Sequence, residues 1–87
     1  MNTFSLTISS PDGDIFKGDV IFLSLRGSEG DLAIMAGHTP FLTSVISGEC
    51  KMIFPDDSER CAILDGGLLT VSKENVTLLS SGFKWKE

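Results

Sequence analysis

Apolar and polar residues alternate with a period of two along most of this chain. Phe4, Leu6 and Ile8 alternate with Ser5, Thr7 and Ser9. That pattern predicts a half-buried strand, because successive strand side chains point to opposite faces. Pro11-Asp12-Gly13-Asp14 supplies turn chemistry: proline presets φ, aspartate hydrogen-bonds the local backbone and glycine accepts positive φ. Residues 15–17 read as a short strand broken at Gly18-Asp19, and 20–26 as the next, with Ile21, Leu23 and Leu25 on one face. Gly27-Ser28-Glu29-Gly30 predicts a loop, 31–35 a short strand, and Ala36-Gly37-His38-Thr39-Pro40 a second loop.

Further strands are predicted over 42–46, 49–54, 59–64, 68–71 and 75–79. Ser47-Gly48 ends the first of these. Pro55-Asp56-Asp57-Ser58 turns the second into the third, with proline where a type I turn wants it. Asp65-Gly66-Gly67 reads as a kink, and Ser72-Lys73-Glu74 as a hairpin loop. Phe83-Lys84-Trp85-Lys86 alternates and predicts an edge strand whose lysines discourage edge-to-edge pairing. About nine to ten short strands with no helical period predict an all-β sandwich or flattened barrel of two antiparallel sheets. The expected organisation is one domain over 1–87, with no significant helix.

Composition narrows the classes of function. Hydrophobic residues make up 41% and charged ones 22% of the chain, ordinary globular usage. The formal charge of −5 argues against nucleic acid, whose phosphates need clustered Lys and Arg, and against electrostatic adsorption to anionic lipid. Cys50 and Cys61 form no CxxC pair, and only His38 could join them as a ligand. A structural zinc takes about four ligands, so no metal site is expected. Residues 1–10 have neither a cationic stretch nor the apolar run of a signal peptide. No window approaches the roughly 20 apolar residues of a membrane span. A cytosolic setting with both thiols reduced follows as the expectation.

Reactive constellations are scarce. With one histidine, any nucleophile–base pair would run through His38, with Ser44 or Asp31 as its partner in space. The acidic pairs Asp12 and Asp14, Asp56 and Asp57, and Glu29 and Asp31 sit in turns, where carboxylates cap backbone donors. The loop at 27–30 lacks the lysine and the helix of a phosphate cradle. His38 itself reads most simply as a solvated or turn-bonded side chain, Gly66 and Gly67 as a strand bend, and Trp85 as a rim residue. One Trp and no Tyr speak against a sugar-binding face. The residues alone thus describe an acidic, all-β binding module.

Three ordered blocks carry a resemblance. Gly27-Ser28-Glu29-Gly30-Asp31-Leu32-Ala33-Ile34 leads to Gly37-His38-Thr39-Pro40-Phe41-Leu42-Thr43. Leu64-Asp65-Gly66-Gly67-Leu68-Leu69-Thr70-Val71 leads to Asn75-Val76-Thr77-Leu78-Leu79. The opening runs from Leu6 to Ser10 and then through Phe16-Lys17-Gly18. Together they resemble the N-terminal β-sandwich of the F-type ATP synthase epsilon subunit over nearly the whole chain. The resemblance implies a non-catalytic rotor subunit of a proton- or sodium-translocating enzyme, peripheral on the cytoplasmic face of a bacterial inner membrane and coupling the gamma shaft to the c-ring. Carried over by residue, it implies a ring-facing set of Glu29, Asp31 and His38, and a gamma-facing set of Ser10, His38, Thr43 and Asp65. Phe41, Val45 and Ile46 are candidates for an apolar hold on gamma, with core packing as their plain alternative. Asp65 stands where serine is frequent, and Met35-Ala36 where proline is common. The chain reaches Glu87 before the helical hairpin of many relatives, so neither an inhibitory arm, nor ATP binding, nor any cofactor is expected in it. The alternatives are an unrelated small β-sandwich that binds a ligand or peptide, and a small enzyme.

Overall fold

The computed structural model describes residues 2–86; Met1 and Glu87, the ends of the expected 1–87 domain, lie outside the described residues. It contains eight strands: β1 (Phe4–Ser10), β2 (Gly13–Val20), β3 (Phe22–Gly27), β4 (Gly30–Met35), β5 (Phe41–Ile53), β6 (Glu59–Val71), β7 (Asn75–Leu79) and β8 (Phe83–Trp85). Their order is β2-β1-β7-β6-β5-β3-β4, with β8 added on β6. No helix occurs among the described residues.

The strand count is lower than the alternation predicts because two expected breaks are bends inside continuous strands. β5 and β6 run 13 residues each and stay paired from Phe41↔Val71 to Ile53↔Glu59. Gly66 adopts φ +96° opposite the bend at Val45 and Ser47. Both strands of the hairpin turn together, so the ladder continues where either sequence alone suggests an end. β5 and β6 thereby belong to both layers. Their Phe41–Val71 end joins β7, β1 and β2, and their Ile53–Glu59 end joins β3, β4 and β8.

A second difference is orientation. β1 pairs with β2 antiparallel but with β7 parallel, from Ser5↔Asn75 to Ser9↔Leu79. Parallel neighbours need a long crossover, and here the whole of β2–β6 supplies it. The expectation of purely antiparallel sheets is corrected at this one pairing.

The alternation holds where it was clearest. Phe4, Leu6 and Ile8 face inward with Val76, Leu78, Leu69 and Val71 from the same layer, against Leu23, Leu25, Ile34, Cys50, Met52, Ala62 and Leu64 from the other. Full burial of each large aliphatic chain stabilises the fold by about 1.5–3 kcal/mol. Phe16 packs edge-to-face on Phe54 and Trp85 at 5.9 and 6.1 Å, closing the layers at the β2 edge. Arg60 lies over the Trp85 ring, 3.6 Å from its centroid.

Candidate functional site

The acidic lip is the β3–β4 hairpin. Arg26 faces Asp31 and Gly27 faces Gly30, leaving Ser28 and Glu29 as the turn. Gly30 holds φ +131°, a conformation L side chains rarely adopt. The Ser28 amide donates to the Ser44 carbonyl at 3.3 Å and ties the tip to β5. Asp31 is exposed, and Arg26 Nε donates to its Oδ1 at 3.4 Å. An exposed pair of that length contributes at most about 1 kcal/mol, so the carboxylate remains available to a partner. Glu29 is exposed at the tip.

His38 differs from its expected solvated or turn-bonded state. Its loop leaves β4 through Gly37 at φ +85°, and the imidazole meets the Phe4 ring edge-on, centroids 5.5 Å apart. Both Nδ1 and Nε2 are buried with no hydrogen-bond partner. Neither Ser44 nor Asp31 reaches the imidazole, so no catalytic triad is assembled around it. Burying a polar group without a partner costs on the order of 1–3 kcal/mol. Beside the ring lies a cleft of about 430 Å³, lined by residues 32–39 and Phe41.

The gamma-facing candidates fall into two places. Ser10 donates its hydroxyl to the Gly13 carbonyl at 3.2 Å within the β1–β2 turn. Asp65 accepts from the Ser47 hydroxyl at 3.3 Å, and its amide donates to the Gly82 carbonyl at 2.7 Å. Ser80 brings these two regions together: its amide donates to the Ser9 carbonyl at 2.9 Å and its buried hydroxyl to the Gly66 carbonyl at 2.6 Å. Thr43 is half-buried and donates to the Ser44 carbonyl at 3.3 Å. His38 sits with Phe4 at the opposite end of β1 from Ser10, a rise of roughly 20 Å at about 3.3 Å per residue.

Between those two places lies a feature that reading the residues one by one missed. Ser44, Leu68, Leu79 and Ser9 form one row across β5, β6, β7 and β1, and Leu42, Thr70 and Thr77 form the next. Leu42 is 64% exposed, Leu79 46%, Ile46 44% and Leu68 40%. These four make an apolar face on the outside of the β1-bearing layer. Of the four gamma-facing candidates, Ser10 and Asp65 border this face, whereas Thr43, paired with buried Leu69, and His38, packed on inward-facing Phe4, turn to its inner side. Ser10 follows the row of Leu79, Thr43 lies between Leu42 and Ser44, Asp65 pairs with Ser47 next to Ile46, and the His38 loop enters β5 just before Leu42. Outward parity on three strands was the available signal; adjacency required the strand order. Of the three apolar candidates, Phe41 and Ile46 are exposed, but Val45 is 4% exposed and belongs to the core.

The two cysteines are free, Cys50 buried and Cys61 half-buried. Cys50 pairs with Ala62 and Cys61 with Lys51, so the pleat sends the thiols to opposite faces of adjacent strands. A disulfide between them has no geometry. Burial, then the neighbouring Cys61, pushes the Cys50 thiol up to about 11. Among the described residues no three His, Cys, Asp or Glu side chains gather as a metal site, and no helix is long and apolar enough to cross a membrane.

Residues 3–86 match the family described as the ATP synthase delta/epsilon chain β-sandwich domain. The chain belongs to this family. Within it, an ATP synthase epsilon chain described as sodium ion specific, from Acetobacterium woodii, is 38% identical over 85 residues, covering 98% of this chain and 64% of that one. The delta/epsilon sandwich described here therefore spans just under two thirds of that relative's length. Its fold is shared with a chain of the Euglena gracilis mitochondrial ATP synthase, solved with OSCP, F1 and c-ring, at TM-score 0.90 and 19% identity over 95% of this chain and 53% of the other. A chain of the Tetrahymena thermophila mitochondrial ATP synthase central stalk and c-ring superposes at TM-score 0.78 and 14% identity, over 94% and 66%.

Proposed function

We propose that this domain is the coupling block of an epsilon subunit in the central stalk of an F-type ATP synthase, itself without catalytic activity, seated between the gamma shaft and the c-ring. The observation that carries the reading is the family match across residues 3–86, joined by a 38% identical epsilon chain. The surface supports it. The face of Leu42, Ile46, Leu68 and Leu79 has the make-up of an interface centre, apolar with polar residues at its rim. Ser10 and Asp65 lie beside that face and would fix register on gamma, while Thr43 and His38, turned to its inner side, would hold the start of β5 in place beneath it. Glu29 and Asp31, on a separate hairpin, would meet polar loops of the ring, where rim charges set orientation and association rate more than affinity.

In this reading the mechanism is mechanical. Torque from ion flow passes from ring to gamma through a block whose two layers share β5 and β6. Close-packed interiors have low compressibility and transmit strain. The ring carries protons or sodium according to its own ligands, and the complex lies on the cytoplasmic face of a bacterial inner membrane. The test is co-purification: the tagged domain should retain purified gamma, and the gamma–domain pair should retain detergent-solubilised c-ring, without ATP turnover by the domain alone. Failure to retain gamma, or capture of a glycan or free peptide in its place, would refute the coupler reading.

A further inference from the structure

We infer that the open edge of β4 is a docking groove for an extended segment of a partner protein, which would add to the second layer as a new strand and carry a basic residue toward Glu29 and Asp31. Among the described residues β4 pairs with β3 alone, so one side of its backbone presents N–H and C=O groups without strand partners. Sheet edges of this kind are normally blunted by charges, bulges or shortness. The edges at β2 and β8 follow that rule. β2 carries Asp14, Lys17 and Asp19 and meets β1 with a register shift. β8 has three residues with Lys84 at its centre. β4 has its single charge, Asp31, at the hairpin end and then runs Leu32-Ala33-Ile34-Met35 without charge or proline, in unbroken register with β3.

The cleft beside it has the corresponding shape. Both the inward Leu32 and Ile34 and the outward Ala33 and Met35 line it. Residues of both faces can line one cleft only if it follows the strand's edge. The loop bearing His38 and Thr39 forms the opposite wall. At about 430 Å³, the cleft falls in the usual range for a ligand-sized site, roughly 300–1,000 Å³. Strand addition at such an edge draws affinity from main-chain hydrogen bonds and specificity from pockets for alternate side chains. The wall also holds His38, whose two ring nitrogens have no partner. A modest outward shift of the loop to admit a backbone would give them one.

Charge selects the occupant. Glu29 and Asp31 are exposed at the hairpin end of the edge, and Arg26 is the neighbouring cation. The chain carries a formal charge of −5, which disfavours a second copy and favours a cationic segment. The segment would share Glu29 and Asp31 with the ring contact of the coupler reading, but its test involves neither gamma nor ring, so failure of one is distinguishable from failure of the other.

The probe is an acetylated, amidated heptapeptide, lysine-valine-threonine-valine-threonine-valine-lysine, titrated into the whole chain and followed by amide shifts and hydrogen exchange. The expected result is shifts confined to residues 29–41 and at least tenfold slower exchange of β4 amides. Methylating alternate peptide nitrogens should weaken binding at least tenfold, as should Met35→Lys, an exposed change that places a charge on the edge. Exchanging both lysines for glutamate should weaken it about fivefold at low salt. No binding at millimolar peptide, equal binding of the methylated peptide, or shifts centred on Leu68 and Leu79 would overturn the proposal. Concentration-dependent self-association abolished by Met35→Lys would assign the edge to a second copy and overturn it too.

Discussion

Gly67→Ala tests whether the bend in β6 is a close-packed joint. A Cβ at this position would lie 2.2 Å from the Leu79 carbonyl oxygen, and 3.2 Å from both the Leu79 carbonyl carbon and Ser80 Cα. All three atoms are backbone, held by the β6–β7 ladder and by the Ser80 bonds to Ser9 and Gly66. No rotamer change can relieve the contact, so the strands must separate by about 1 Å. Forcing extra volume into a packed site costs about 1–3 kcal/mol. Against that, alanine restricts the unfolded chain and returns about 0.4–1 kcal/mol. The net expectation is a loss of about 1.3 kcal/mol. With 87 residues at about 2.1 cal/mol/K each, the unfolding entropy is about 0.18 kcal/mol/K, so Tm should fall by about 7 °C.

Gly48→Ala is the matched control on the paired strand. Its Cβ would find Arg26 Cβ at 3.5 Å, an ordinary contact. Only the unfolded-chain effect remains, and Tm should rise by about 2–6 °C. Calorimetry of both variants at one pH settles the comparison. A Gly67→Ala domain within about 0.5 kcal/mol of the parent, or two glycines responding alike, would refute the idea of a rigid joint.

Other consequences are independent of the joint. Ser80→Ala should cost about 1–3 kcal/mol by chemical denaturation, because it removes the buried hydroxyl donor at 2.6 Å from the Gly66 carbonyl. His38→Phe should stabilise the isolated domain by about 1–2 kcal/mol, since two buried, unpartnered ring nitrogens give way to an apolar ring, while weakening retention by gamma. Cys50 should resist alkylation in the native state at pH 8 while half-buried Cys61 labels first. The folded Cys50 thiol is raised from about 9 to about 11, so the unfolded chain ionises first as pH rises. Its contribution to stability is intact below about pH 9 and is lost between about pH 9 and 11, amounting to about 2–3 kcal/mol at 1.36 kcal/mol per pH unit. Cys50→Ala should remove that alkaline dependence.

Much of the fold was written locally. The alternation of Phe4, Leu6 and Ile8, and the Pro55–Ser58 turn that places proline second and Asp57 at φ +69°, follow from residue-level chemistry. Other features were not legible because they depend on what lies opposite. Ser47-Gly48 and Asp65-Gly66-Gly67 each look like an ending, and they are a shared bend only because they face one another. The parallel seam between β1 and β7 joins residues about seventy apart in sequence. His38 is drawn inward by Phe4, more than thirty positions upstream. The acidic hairpin was visible as glycine-framed acidic residues. The apolar face was not, since Leu42, Ile46, Leu68 and Leu79 become neighbours only in the order β5-β6-β7.

The most direct measurement is the affinity of purified gamma for the parent domain and for Leu42→Lys/Leu79→Lys. Both positions are exposed in the free domain, so Tm should move by only a few degrees, in line with surface changes of about 0.5 kcal/mol each. Two ammonium groups set into an apolar contact should raise Kd at least about 100-fold, or about 2.7 kcal/mol. An unchanged Kd in a normally folded variant would contradict the seating of gamma on this face, and with it the account of how the domain couples shaft to ring.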